Sequence, residues 1–305
     1  MAANAEVDAN AYTAPFMLTK SLHRDVYPAV DPVNNPSVRA DGKVVIVTGA
    51  SGGLGFAVAK SFLQAGAKGV VLVARTAEKL EAVTEDLADH SRVLTISGNV
   101  ASQEDADKVF KEAVERFGQV DVLVNAAGAM NVAPIDQISS SAWWENFEVN
   151  VRGTFNAIQA LVKTTGGKGT IINLVSLGAS FVAPAMSGYS ASKLAVIKLG
   201  ECLDVEQPGL RVFSIHPGMV EAEKGRGMVV PPFLPFSKDK AALTGGLSVY
   251  LSTEKADFLK GGYIHANWDV EELEKHQEEI AEKKLIKLAF LNGQLQPGGY
   301  PWGTA

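Results

Sequence analysis

The stretch that decides the fold runs Val44-Val45-Ile46-Val47-Thr48-Gly49-Ala50-Ser51-Gly52-Gly53-Leu54-Gly55. Its first four residues are all apolar and β-branched, the pattern of a strand buried on both faces. Gly49, Gly53 and Gly55 mark the turn that follows, and a helical pattern from Leu54 to Gln64 closes at Gly66. Between a buried strand and a helix the three glycines have separate uses. The first permits a tight turn, the second lets backbone N–H groups approach a pyrophosphate, and the third lets helix and strand pack closely. A glycine-rich turn alone says little; its place at a strand–helix junction makes it a candidate phosphate loop.

The alternation continues outward. Strand patterns at Val70–Val73, Val93–Ile96 and Val120–Val124 are separated by helical patterns at Glu78–Asp89 and Asp105–Phe117, and further strands fall at Thr170–Leu174, Arg211–Ile215 and Tyr263–Ala266. Strands alternating with helices predict βαβ crossovers. The expected fold is α/β, a doubly wound parallel sheet of about seven strands with helices on both faces, in a single catalytic domain over 41–269. Residues 1–40, broken by Pro28, Pro32 and Pro36, read as an irregular arm, either partly disordered or wrapped on the body through Phe16, Leu18 and Tyr27. Residues 270–305 read as a helical extension and tail. Val270, Leu273, Ile280, Leu285, Leu288 and Leu291, interspersed with Glu and Lys, suit one amphipathic helix or a pair, packed on the same chain or on a second copy.

Composition excludes several classes. The 305 residues are 47% hydrophobic and 20% charged with a net charge of -6, and no basic run offers a nucleic-acid footprint. No apolar stretch approaches the roughly 20 residues needed to span a bilayer, and the first residues lack the pattern of a secretory leader. The one cysteine, Cys202, excludes an intrachain disulfide and is expected to be a buried structural thiol. A cytoplasmic protein with no metal and no membrane or nucleic-acid partner is expected.

The chemistry gathers in the second half. Tyr189 and Lys193 stand four apart in Tyr189-Ser190-Ala191-Ser192-Lys193 and share a helix face. An ammonium near a phenol favours the phenolate and is expected to lower the tyrosine from its usual pKa of about 10. Such a phenol can exchange a proton with a carbonyl or alcohol oxygen, and Ser176, just after a strand, could hold the same oxygen as charge develops. Taken singly, each residue has a plain alternative as a helix-surface pair, a turn serine or a capping asparagine. Together, in one αβ series with a phosphate loop, they read as a catalytic set.

The motifs also fall in a known order. Gly-x-x-x-Gly-x-Gly after Thr48, Asn125-Ala126-Ala127-Gly128, Asn150, Ser176, the Tyr-x-x-x-Lys segment and Pro217-Gly218 resemble the classical short-chain dehydrogenase/reductase family over residues 40 to 268. The resemblance implies a Rossmann-type fold and a catalytic set of Asn150, Ser176, Tyr189 and Lys193. In that set Lys193 also binds the nicotinamide ribose, and Asn150 positions a water that links Lys193 to solvent. It further implies cofactor contacts from Gly49, Ser51, Gly53, Leu54, Gly55, Asn99, Val100, Asn125, Ala126, Gly128, Pro217, Gly218 and Val220. The second strand ends Val73-Ala74-Arg75, where NAD members carry an Asp in place of Ala74; Arg75 suits a 2′-phosphate, so NADP(H) is expected. Gly52 stands where many NADP members carry a basic residue, Asn99 where an Asp is common near the adenine, and Ala222 where a Thr commonly bonds the carboxamide.

The segment after Pro217-Gly218, with Met228, Val229, Val230, Phe233, Leu234 and Phe236, corresponds to the family's substrate lid, and Phe181, Val182 and Met186 precede Tyr189. Such a lining suits a bulky hydrophobic ketone or secondary alcohol, although apolar loops equally pack on a core. The arm and Ala266-Asn267-Trp268-Asp269 resemble extended members common in fungi, many of which act on secondary metabolites. The family also implies a homodimer or homotetramer. Two other readings stand beside carbonyl reduction: a non-redox isomerisation, dehydration or cyclisation on the same fold, and a nucleotide-binding sensor without turnover.

Overall fold

The structure is a computed structural model that describes residues 8–87, 89–222 and 231–289. Seven strands form one parallel sheet: β1 (Val44–Thr48), β2 (Gly69–Ala74), β3 (Val93–Ser97), β4 (Val122–Asn125), β5 (Gly169–Leu174), β6 (Leu210–His216) and β7 (Gly262–His265). Their order is β3-β2-β1-β4-β5-β6-β7, so the direction of winding reverses between β1 and β4. That reversal opens a crevice at the carboxyl ends of the two strands, where open α/β sheets bind ligands.

Burial on both faces explains why β1 is apolar from Val44 to Val47. Val45 and Val47 face α1 (Gly53–Gln64) and α7 (Ala241–Leu251), in a core with Phe62, Leu243 and Leu247. Val44 and Ile46 face α3 (Gln103–Phe117) and α5 (Gly153–Thr165), in a core with Phe110, Ile158 and Leu161. Both faces are covered, as in a doubly wound sheet. The remaining helices are α2 (Ala77–Thr84), α4 (Ser140–Phe147), α6 (Ser187–Glu206), α8 (Val270–Lys275) and α9 (Gln277–Lys283).

Three local expectations are corrected. The helix expected over Glu78–Asp89 stops at Thr84, whose hydroxyl donates to the Leu80 carbonyl, while Asp89 instead caps a short 3-10 turn at His90–Arg92. Cys202 is exposed, because the buried stripe of α6 runs through Val196, Ile197, Gly200 and Leu203 and leaves it to one side. Leu18 is 37% exposed and does not anchor the arm. The arm is instead sewn to the segment after β7. Leu22 bridges Trp268, the Trp268 indole N–H donates to the Phe16 carbonyl at 3.0 Å, and the Tyr27 hydroxyl accepts from Val270 N–H at 2.8 Å. Val30, Val38 and Ala40 then enter the core with no exposure at all.

The segment after β7 packs on the same body. Asp269 caps α8 by accepting from Glu272 N–H at 2.8 Å, and Val270, Leu273, Ile280 and Ile286 bury themselves in the core shared with α1 and α7. Leu291 lies outside the described residues, as do Met228, Val229 and Val230. Among the described residues, no helix is long and apolar enough to cross a membrane.

Candidate active site

The phosphate loop sits at the switch point. Gly49, at φ 65°, turns the chain out of β1; a Cβ there would lie 2.7 Å from the Ala127 backbone. At Gly55 a Cβ would lie 2.5 Å from the Gly49 carbonyl. Only glycine permits both approaches: the first brings the loops after β1 and β4 together, and the second seats the start of α1 on the turn. Thr48 fixes the second loop, its hydroxyl accepting from Ala126 and Ala127 N–H at 3.1 Å each. Helix α1 begins at Gly53 with no side-chain cap, so the unpaired N–H groups and positive end of its first turn face the crevice.

That crevice is a cleft of about 680 Å³ lined by Gly49, Ser51, Gly53, Leu54, Gly55, Arg75, Asn99, Val100, Ala126 and Gly128. Lys79, on α2, lines it beside Arg75 and was not singled out from the sequence. These residues fit a dinucleotide: an uncapped helix start suits a pyrophosphate, and two cations, Arg75 and Lys79, line the same cleft. Asn125 lines neither this cleft nor the cavity beyond it; its amide donates to Asn173 at 2.9 Å and braces β4 against β5.

Past Gly53, Leu54 and Gly128 the cleft runs into a cavity of about 190 Å³ that holds Ser176, Tyr189 and Lys193 together with Pro217, Gly218 and Val220. Tyr189 and Lys193 lie on the buried face of α6, as their spacing predicts. Lys193 donates to the Leu174 carbonyl at 2.8 Å, and its ammonium lies 6.0 Å from the Tyr189 ring centre. Burial pushes Lys193 down to about 8. Tyr189 departs from the expected lowering: burial raises its phenol, and the Ser176 hydroxyl beside it only partly opposes that. Desolvation outweighs the lysine, which is itself poorly able to stay charged there.

Asn150 lies in a π-helical turn, Glu148–Arg152, between α4 and α5. Its amide hydrogens are committed to the Ala129 carbonyl at 3.0 Å and the Ser192 hydroxyl at 2.9 Å, and its oxygen accepts from Ala129 N–H at 2.8 Å. The side chain thus ties the loop after β4 to α6, behind the Tyr–Lys pair.

Two residues that the sequence left unremarked shape the cavity. Asp239 is fully buried and accepts from Arg24 at 2.6 Å and from Met219 N–H at 2.6 Å. It fastens the arm and the loop after Pro217-Gly218 to one point. Asp239→Ala would strip Arg24 of its ion-pair partner and the half-buried Met219 N–H of its acceptor, and we expect it to destabilise the protein by about 2–4 kcal/mol, read as a lowered Tm.

His216, at the end of β6, accepts from Leu177 N–H at 3.1 Å and so fixes the backbone next to Ser176. Burial holds His216 down to about 3, and His265, packed edge-on against it at 4.8 Å, also lies well below the usual range. Both rings stay neutral in the fold, whereas an unfolded histidine protonates near about 6.5. Stability is therefore full above about pH 6.5 and is lost as the pH falls from there toward 3. His216 alone accounts for about 2 kcal/mol between pH 7 and pH 5. His216→Asn, whose amide oxygen can still accept from Leu177, should narrow that gap in urea unfolding.

An uncapped helix start at a switch point, leading into a cavity that holds Ser176 with the buried Tyr189 and Lys193, is the arrangement of a nucleotide-dependent oxidoreductase of the α/β type. The comparisons agree. Residues 43–228 match the short chain dehydrogenase family. Short chain dehydrogenase mpl6 of Monascus purpureus is 32% identical over 92% of this chain and 98% of its own length. Short chain dehydrogenase andI of Emericella variicolor is 30% identical over 89% and 95%. A crystal structure of a short-chain dehydrogenase/reductase from Brucella melitensis superposes with a TM-score of 0.67 at 27% identity, over 74% of this chain and 95% of that one. This chain belongs to the short-chain dehydrogenase/reductase family, whose members use a nicotinamide cofactor.

Proposed function

We propose that the protein reduces a hydrophobic ketone to a secondary alcohol with NADPH, or runs the reverse reaction, with Tyr189 as general acid and base. The observation that carries this reading is the pairing of the buried Tyr189 with Ser176 at the junction of the nucleotide cleft and an apolar cavity. A bound nicotinamide supplies the hydride. With its phenol raised and Lys193 lowered by burial, the resting pair keeps the proton on Tyr189. Tyr189 then gives that proton to the carbonyl oxygen as hydride reaches the carbon. Ser176 holds the oxygen while negative charge builds on it, and Lys193 lies close enough to favour the phenolate left behind.

NADP over NAD rests on Arg75 and Lys79 at the cleft and on Ala74 at the end of β2, where no carboxylate competes for a ribose hydroxyl. A bulky carbonyl rests on the lining by Met130, Leu177, Phe181, Met186 and Phe233. The relatives are fungal short chain dehydrogenases, in keeping with a secondary-metabolite carbonyl. The first test is titration with NADPH and NADH followed by a panel of bulky ketones. Tight NADPH binding with turnover supports the reading, and NADPH binding without turnover on any ketone counts against it.

We also propose a homodimer or homotetramer. Trp144 on α4, Phe155 on α5 and Leu194 on α6 leave 54%, 46% and 38% of their surface in solvent, which a second copy would cover. Light scattering after gel filtration should give a mass at least twice that of the 32.3 kDa chain.

A further inference from the structure

We propose that the N-terminal arm is part of the substrate site, and that Tyr12 selects flat, fused-ring carbonyl compounds by contact with their rings. Tyr12 is the arm residue that lines the cavity holding Ser176 and Tyr189. Its ring meets Phe233 edge-on at 5.5 Å and Phe236 edge-on at 4.7 Å, and lies tilted against Phe181 at 6.1 Å. Phe16 extends the group to Phe181 at 6.2 Å. Three separate segments thus bring aromatic rings to one wall: the arm, the turn before α6, and the 3-10 turn Pro231–Phe236.

The wall is fixed in place. Arg24 donates to Asn10, two residues before Tyr12, at 2.6 Å, while its other nitrogen grips the buried Asp239. On the far side, the Trp268 indole holds the Phe16 carbonyl. Tyr12 therefore sits between two tethered points, and little ordering remains to be done when a ligand arrives. Ser176, Tyr189 and Lys193 gather on the catalytic side of the cavity, whereas Tyr12, Phe181 and Phe233 give it a mainly aromatic stretch, with Ser237 and Glu221 also in the lining. A sugar would leave hydroxyls unpaired against such a wall. A carbonyl on a flat ring system meets both sides, and aromatic contacts add to the area buried.

The inference rests on the reading that this cavity takes the carbonyl substrate, and the test separates the two. 1-Tetralone is the fused-ring probe and cyclohexanone the small ring with no aromatic face. For Tyr12→Ala we expect about a tenfold rise in KM for 1-tetralone, and an equal weakening of its binding to the enzyme–NADP+ complex by calorimetry. Cyclohexanone turnover should stay within about twofold, since the wall adds little to a saturated ring. Tyr12→Phe should restore 1-tetralone, and Tyr12→Leu, which keeps bulk without an aromatic face, should not. Equal effects on both ketones, no effect on either, or a wild-type protein that does not bind 1-tetralone would overturn the inference. Tyr12-dependent binding without reduction would uphold the wall and sink the reductase reading instead.

Discussion

Replacing Tyr189 with phenylalanine should lower kcat/KM for NADPH-dependent ketone reduction by about a thousandfold, while NADPH affinity changes less than about twofold. The reasoning is local. Tyr189 is buried beside Ser176, and the neighbouring cation, Lys193, is turned to the Leu174 carbonyl. Removing the phenol removes the proposed proton donor while the ring still fills its place. Ser176 remains as a hydrogen-bond donor, so residual activity should survive. The pH dependence follows from the same burial. The raised phenol keeps its proton through neutrality, so ketone reduction should persist there, and alcohol oxidation should climb as alkaline pH begins to remove that proton. Steady-state rates of both directions across pH 6–10 check this. A Tyr189→Phe enzyme with wild-type turnover would refute the assignment of the proton to Tyr189.

The second large effect concerns the cofactor. Arg75→Asp should weaken NADPH about 100-fold and leave NADH within about threefold, because it replaces a charge-assisted contact with a like charge. Arg75 is exposed at the cleft rim and free to follow a phosphate, and Lys79 lies close enough to retain part of the attraction. Lys79→Ala should therefore cost less, about three- to tenfold, and the double substitution should bring the two nucleotides near parity. Fluorescence titration of both nucleotides against all three variants reads the effect. Equal losses for NADPH and NADH would mean that the 2′-phosphate does not reach Arg75.

Most of the frame was legible because it depends on short-range rules. The unbroken β-branched run of β1 marks a strand covered on both faces, and glycines at a strand–helix junction mark the cleft. A Tyr four residues before a Lys shares its helix face whatever else the chain does. What escaped reading depends on partners far away in the chain. Asp239 stands in Ser237-Lys238-Asp239-Lys240, which looks like solvated surface; only Arg24 and Met219, brought in by the fold, make it a buried clamp. Tyr12 sits in a stretch without period, and its neighbours in space come from 181 and 233. The direction of the Tyr189 shift was misread for a related reason. Spacing shows that a lysine is near, but burial, which no spacing reveals, decides which effect wins. Asn125 matches its motif in place, yet it is turned into the sheet.

The stitching of the arm to the segment after β7 has a temporal side. Phe16 waits for Trp268, 252 positions later, and Thr19 for Asp269, 250 positions later. A chain made from its N-terminus at about 5–20 residues per second completes its first strands well before those partners exist. Through that interval Val38 and Ala40 can already meet the first helix, but Phe16 and Thr19, which follow Tyr12 in the chain, lack their partners. Tyr189 and Lys193 on α6 are likewise synthesised before Trp268 and Asp269. The arm therefore finds its partners around Trp268 and Asp269 only after the segment that bears Tyr189 and Lys193 has been made.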